Sequence, residues 1–159
     1  MNIDLGTLLV GLISVGVFAL PFVLTIRSRK RKRKKLMASI SAMSDRYNTK
    51  IGESEFCGNY AIGIDPEHRF VFFHKKYKDR VEEQTVVLLE VKSCRPLNHG
   101  SNVAGDRIIE RLGLQFAPKD KDKPEIILEF YNDHESYQLS GELQSMERWA
   151  KLIDESLKG

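Results

Sequence analysis

Leu5 through Ile26 is a run of 22 residues without a single charge, rich in Leu, Val, Ile and Phe. As an α-helix it measures about 33 Å, enough to cross a bilayer core of about 30 Å with some tilt. Lipid offers no hydrogen-bond partner to a backbone, so a segment of this kind is held to a helix, whose peptide groups bond to one another. A cleaved signal peptide is the rival reading. It asks for positive charge ahead of the apolar stretch, whereas Met1-Asn2-Ile3-Asp4 supplies a carboxylate, and no small-x-small cleavage pattern follows. The expectation is an uncleaved anchor at 5–26 with residues 1–4 extracytoplasmic. Pro21 lies inside the span and removes one backbone donor, which favours a kink. Thr7, Gly11 and Ser14 share one helical face and would let a second span approach, although small residues are common in membrane helices.

Charge fixes the expected orientation. Eight of the 25 Lys and Arg residues, Arg27, Arg29, Lys30, Arg31, Lys32, Arg33, Lys34 and Lys35, follow the span directly. Basic residues beside a span stay on the cytoplasmic side, so the chain is expected in the cell membrane with its N-terminus out and the rest in. Each cation adds about 1 kcal/mol of attraction to an anionic leaflet. A topology signal accounts for the block; an anionic lipid headgroup is the alternative ligand. From Leu36 onward, 17 basic residues face 21 acidic ones. That mildly acidic balance disfavours nucleic acid, whose binders carry excess positive charge on the fold itself.

The 159 residues leave room for one domain beyond the anchor. Leu36, Ile40, Met43 and Tyr47 recur at helical spacing, which predicts a short connector helix ending near Asn48, within a 27–50 juxtamembrane segment. Its apolar face lies either on the membrane or, as is commoner, on the domain. From residue 51 to 159 the pattern turns mainly to β. Tyr60–Ile64 and Arg69–His74 flank Asp65-Pro66-Glu67-His68 and read as a hairpin. Lys75 to Glu83 reads as a solvated loop, and Gln84 to Ser93 as one strand around Val86–Val91. Asn98-His99-Gly100-Ser101-Asn102 breaks the pattern. Strands at Arg107–Phe116 and Glu125–Tyr131 enclose a charged, proline-bounded loop at 117–124. The chain closes on an amphipathic helix with Leu143, Met146, Trp149, Ala150, Ile153 and Leu157 on one stripe. Glu142, Glu147, Arg148, Lys151 and Glu155 fall on the wet side, and Ser140 is the expected N-cap.

The expected fold is mainly β within an α+β class: an N-terminal transmembrane helix, then five or six antiparallel strands in a small barrel or bent sheet, with the amphipathic helix over an open end. The Ala61-to-Phe73 hairpin, the strand Val87-Leu88-Leu89-Glu90-Val91-Lys92-Ser93-Cys94 and the helix holding Trp149 resemble, in pattern and order, the pleckstrin-homology-like superfold of bacterial membrane proteins. The resemblance covers residues 51 to 158 and contains no signature motif. It implies either lipid-headgroup binding or protein scaffolding, and fold alone does not choose.

Motifs for chemistry are sparse. A phosphoinositide-binding member of that superfold would carry a basic cluster at its first hairpin, where this chain has Pro66, Glu67, His68 and Arg69. Lys75, Lys76, Lys78 and Arg80 follow, and Asp79, Glu82 and Glu83 offset them. His68, His74, His99 and His134 have no metal-ligand spacing, and Asp133-His134-Glu135 reads as a surface turn. Cys57 and Cys94 lack any ligand or redox spacing and read as reduced structural thiols; Cys94 near His99 is a weak nucleophile candidate. No glycine-rich phosphate loop or GxSxG is found, and nothing asks for a cofactor. The expected role is therefore non-enzymatic docking of a protein partner, with the sheet edge or the groove beside the terminal helix as the contact surface and Leu143, Met146, Trp149 and Ile153 anchoring that helix.

Overall fold

The computed structural model describes residues 4–67, 69–136 and 138–159. Met1 to Ile3 at the expected extracytoplasmic end, His68 of the expected hairpin turn, and the side chain of Thr7 lie outside the described part. The chain divides into two units, Met1–Lys35 and Leu36–Gly159.

Helix α1 (Leu5–Asp45) is one element where the sequence predicts an anchor, a juxtamembrane segment and a separate connector helix. The physical reason is composition: no Gly or Pro occurs between Pro21 and Gly52, and Arg and Lys are good helix formers, so nothing stops propagation. It ends at Asp45 because Asn48 takes a left-handed φ of 54° and the Tyr47 and Thr49 N–H groups donate back to the Ser44 carbonyl.

Seven strands follow among the described residues. β1 (Glu53–Cys57), β2 (Tyr60–Asp65), β3 (Phe70–Lys76) and β4 (Val81–Val87) form one antiparallel sheet in sequential order; β5 (Val91–Val103), β6 (Asp106–Pro118) and β7 (Ile126–Asn132) form a second. Helix α2 (Glu142–Lys158) closes the chain. The architecture is mixed α+β with two sheets, and among the described residues no ladder closes them into a barrel, one of the two forms expected.

Alternation decides where each residue goes. Tyr60, Ile62 and Ile64 of β2 and Val71 and Phe73 of β3 face the second sheet, meeting Leu112, Leu114, Phe116, Leu128 and Phe130, with Met146, Trp149 and Ile153 of α2 completing this core. The opposite positions, Ala61 and Phe72, meet Leu36, Ile40 and Met43 of α1 in a second cluster, so the connector's apolar face lies on the domain. All six residues of β2 are consequently buried. A Cβ at Gly63 would lie 3.0 Å from Ile51 and 3.2 Å from Ile40, so the bare backbone there is what admits the helix. Burying Leu36, Ile40 and Met43 contributes about 1.5–3 kcal/mol each.

Four stretches depart from the sequence reading. The expected strand Gln84–Ser93 is interrupted by a 3₁₀ turn at Leu88–Glu90, where Leu88 is 2% exposed and Leu89 60%. Its Leu88 N–H donates to Arg69 O beside β3, while Glu90 O accepts from Lys119 N–H just past β6, so one corner is bonded to both sheets. The expected breaker Asn98–Asn102 lies within β5, absorbed by a bulge at His99/Gly100; a Cβ on Gly100 would sit 2.4 Å from Ile108 O. The expected loop Lys75–Glu83 shrinks to Tyr77–Arg80 between β3 and β4, and Lys75 is buried. Glu142, expected on the wet side, is buried, and the N-cap is Gly141 instead of Ser140, whose N–H donates to the Glu142 carboxylate.

Candidate functional site

In α1 the apolar side chains from Leu5 to Ile26 that are described stand exposed, and the helix is long and apolar enough to cross a membrane. Its hydroxyls bond inward: Ser14 Oγ donates to Val10 O at 2.9 Å and Thr25 Oγ1 to Pro21 O at 2.7 Å. Ser14 therefore spends its donor within its own helix instead of offering it to a second span. Arg27 through Lys35 are all exposed, and at about 100° per residue nine positions distribute charge around the whole helix instead of along one stripe.

Of the residues expected to hold α2, Met146, Trp149 and Ile153 are buried and Leu143 is partly buried. Polar contacts add to that packing. Glu55 of β1 accepts from Trp149 Nε1 at 2.5 Å and from Ser145 Oγ at 3.0 Å, and pairs with Arg148; Tyr60 OH donates to Ser145 Oγ at 2.8 Å. One carboxylate thus joins the first strand to the last helix. The sequence reading missed it because β1 carries no apolar run.

A second polar cluster joins the β3–β4 turn to β7. Lys75 is 1% exposed, with Nζ 3.4 Å from Glu129 and 3.5 Å from Glu135. Glu129 also accepts from Arg111 Nε at 2.6 Å, and Tyr77 OH donates to Glu82 at 2.8 Å. The Tyr77 ring lies beneath both Lys75 Nζ, 4.7 Å from its centroid, and Arg80 Cζ, at 4.2 Å. Burial works to raise the Glu129 pKa, but Lys75 and Arg111 overcome it and hold the carboxyl below its usual value. Burial, then the hydrogen bond to Glu82, pushes the Tyr77 phenol upward. Lys75 is consequently held by Glu129 and Glu135 and belongs to no open phosphate cluster, whereas Arg80, exposed on the turn, lies over Tyr77 and 3.7 Å from Glu135. A signal existed: Lys75 keeps the inward alternation of Val71 and Phe73.

Both thiols are free and buried. Burial raises Cys57, and burial with Asp154 takes Cys94 to about 12, so neither is a thiolate near neutrality. Cys94 faces the core while His99 is exposed and lies 4.0 Å from Glu110. His74 is buried with Nδ1 3.4 Å from Glu83, and exposed His134 is 3.8 Å from Asp133; His68 is outside the described residues. Among the described residues no three His, Cys, Asp or Glu side chains gather as a metal site would require.

The sheet edges differ in kind. β7 ends opposite β6 at Asn132–Arg111, extended by one bond from Asp133 N–H to Glu110 O at 2.9 Å. Beyond that point β5 and β6 continue as a two-stranded arm, residues 100–109, turning at Ala104-Gly105. Among the described residues no third strand pairs with it, and Val103 and Ile108 are exposed. No protein-family model, no curated protein and no solved structure matches the chain.

Proposed function

We propose that this chain is a single-pass, membrane-anchored, non-enzymatic docking module, its α+β unit a pleckstrin-homology-like domain at the cytoplasmic face. The observation that carries this reading is the β5–β6 arm, a ribbon that runs past β7 and offers unpaired strand to a partner, in the same chain as a membrane-length apolar helix flanked by eight cations. Strand addition at an open edge gives affinity through main-chain hydrogen bonds. Four strands, then three, then a helix that packs its tryptophan on them support the superfold. Positive charge after the span supports the inward orientation. The test is photo-crosslinking in native membranes from a reactive residue at Ile108, with Glu147 on α2 as the control position. A discrete adduct from 108 and none from 147 is expected; equal or absent adducts contradict docking through the arm.

Binding of anionic lipid by the Arg27–Lys35 block is the second reading, favoured by the solvent exposure of its cations. Neutralising the block should then abolish a salt-sensitive preference of the inserted chain for anionic over neutral vesicles. Insertion indifferent to lipid charge contradicts it.

A further inference from the structure

Resting on the lipid reading above, we propose that the Arg27–Lys35 block gathers a shell of several anionic lipids around the anchor, selected by charge alone, with no pocket for one headgroup. The block is helical and continues α1 directly from the apolar run, so its cations climb away from the span by about 1.5 Å per residue. Turning about 100° per residue, their bearings around the axis leave no gap wider than about 60°. Arg27, Arg31, Lys34 and Lys35 share one side of the helix, and Arg29, Lys30, Lys32 and Arg33 the other. No Asp or Glu lies between Asp4 and Asp45, so no carboxylate within one helical turn offsets any of these charges.

Chain direction matters as much as charge. In an α-helix every Cα–Cβ bond tilts toward the N-terminus, and the N-terminal side of this block is the apolar run. Its side chains therefore lean back toward the lipid, where a block placed ahead of its span would lean away. Lys35 starts about 12 Å above Arg27. Its tilt and its long flexible stem bring its charge within a Debye length, about 8 Å at physiological salt, of a headgroup layer roughly 5–8 Å deep. A single headgroup lies against one side of a helix about 10–12 Å wide, and it leaves the cations of the far side unmatched. Several lipids, spaced around the circumference, meet both sides at once, and each cation then contributes its share of attraction.

The test is electron spin resonance of spin-labelled lipids with the full-length chain in phosphatidylcholine vesicles, which reports the share of each label slowed at the anchor. Phosphatidylserine and phosphatidylglycerol labels, alike in charge and different in headgroup, should be enriched equally over a phosphatidylcholine label, and added salt should lower both. Unlabelled phosphatidylserine should displace them over more than one site per chain. Two variants divide the block by side, R27Q/R31Q/K34Q/K35Q and R29Q/K30Q/K32Q/R33Q, with mean heights of about 7 and 6 Å above Arg27. Gln is a good helix former, so both keep the helix. Each should cut the enrichment about twofold, because half of the cations remain. Enrichment lost in one variant and unchanged in the other, a difference between the two anionic labels, or displacement at a single site overturns the inference and leaves lipid binding standing. Wild-type chains that slow all three labels equally end both.

Discussion

Glu55 shows how one side chain couples distant parts of the chain. Its carboxylate is the acceptor for Trp149 and Ser145 and the counter-charge for Arg148, so truncation leaves an indole N–H and a hydroxyl without their partner in a mostly buried place. Glu55→Ala should lower the unfolding free energy by about 1–3 kcal/mol, read in urea from the fluorescence of Trp149, the chain's single tryptophan. Glu129 gives a pH dependence. Its folded pKa lies below the ordinary value of 4.5, so its stabilisation is fully present above that value and is lost as pH falls through the lower, folded one. Glu129→Gln should flatten the acid limb of the stability profile, and an unchanged limb would assign acid sensitivity elsewhere. Cys94, raised to about 12 by burial and Asp154, should resist alkylation at pH 8 in the folded chain and react once urea exposes it.

At the scale of elements, the β2–β3 hairpin and α2 are legible because each carries its own signal: a proline turn between alternating runs, and an apolar stripe with period near four. The corner at Leu88 is not, since the apolar run Val86-Val87-Leu88-Leu89 looks the same whether it continues one strand or passes between sheets. The reach of β5 and β6 past β7 is likewise hidden: Asn98, Gly100 and Asn102 are turn formers by composition, and only pairing with Leu112, Ile109 and Arg107 keeps them extended. The continuous α1 follows from missing breakers, a signal present but read as three segments. Its docking is testable. Ile40→Ala should cost about 2–5 kcal/mol and speed amide exchange in β2, and Gly63→Val should cost about 1–3 kcal/mol by pushing Ile40 and Ile51 off the sheet. A silent Ile40→Ala would contradict the helix-on-sheet packing.

At the scale of the molecule, two kinds of surface lie in one chain: a helical segment, Leu5 to Ile26, whose described apolar side chains stand exposed, and a β unit whose polar clusters around Glu55 and Glu129 are satisfied internally. Two of the polar groups that sequence reasoning offered for chemistry, Lys75 and Cys94, are consumed by structure, because a lysine or thiol on an inward strand position must be paired or neutral. What stays outside is the anchor, its cationic flank and the β5–β6 arm, and the proposed role rests on them. The most direct test is the intact mass of the chain recovered from membranes washed in alkaline carbonate. A full-length chain, its Leu5–Ile26 segment retained, is expected in the pellet. A chain shortened at its front end and released to the supernatant would contradict it.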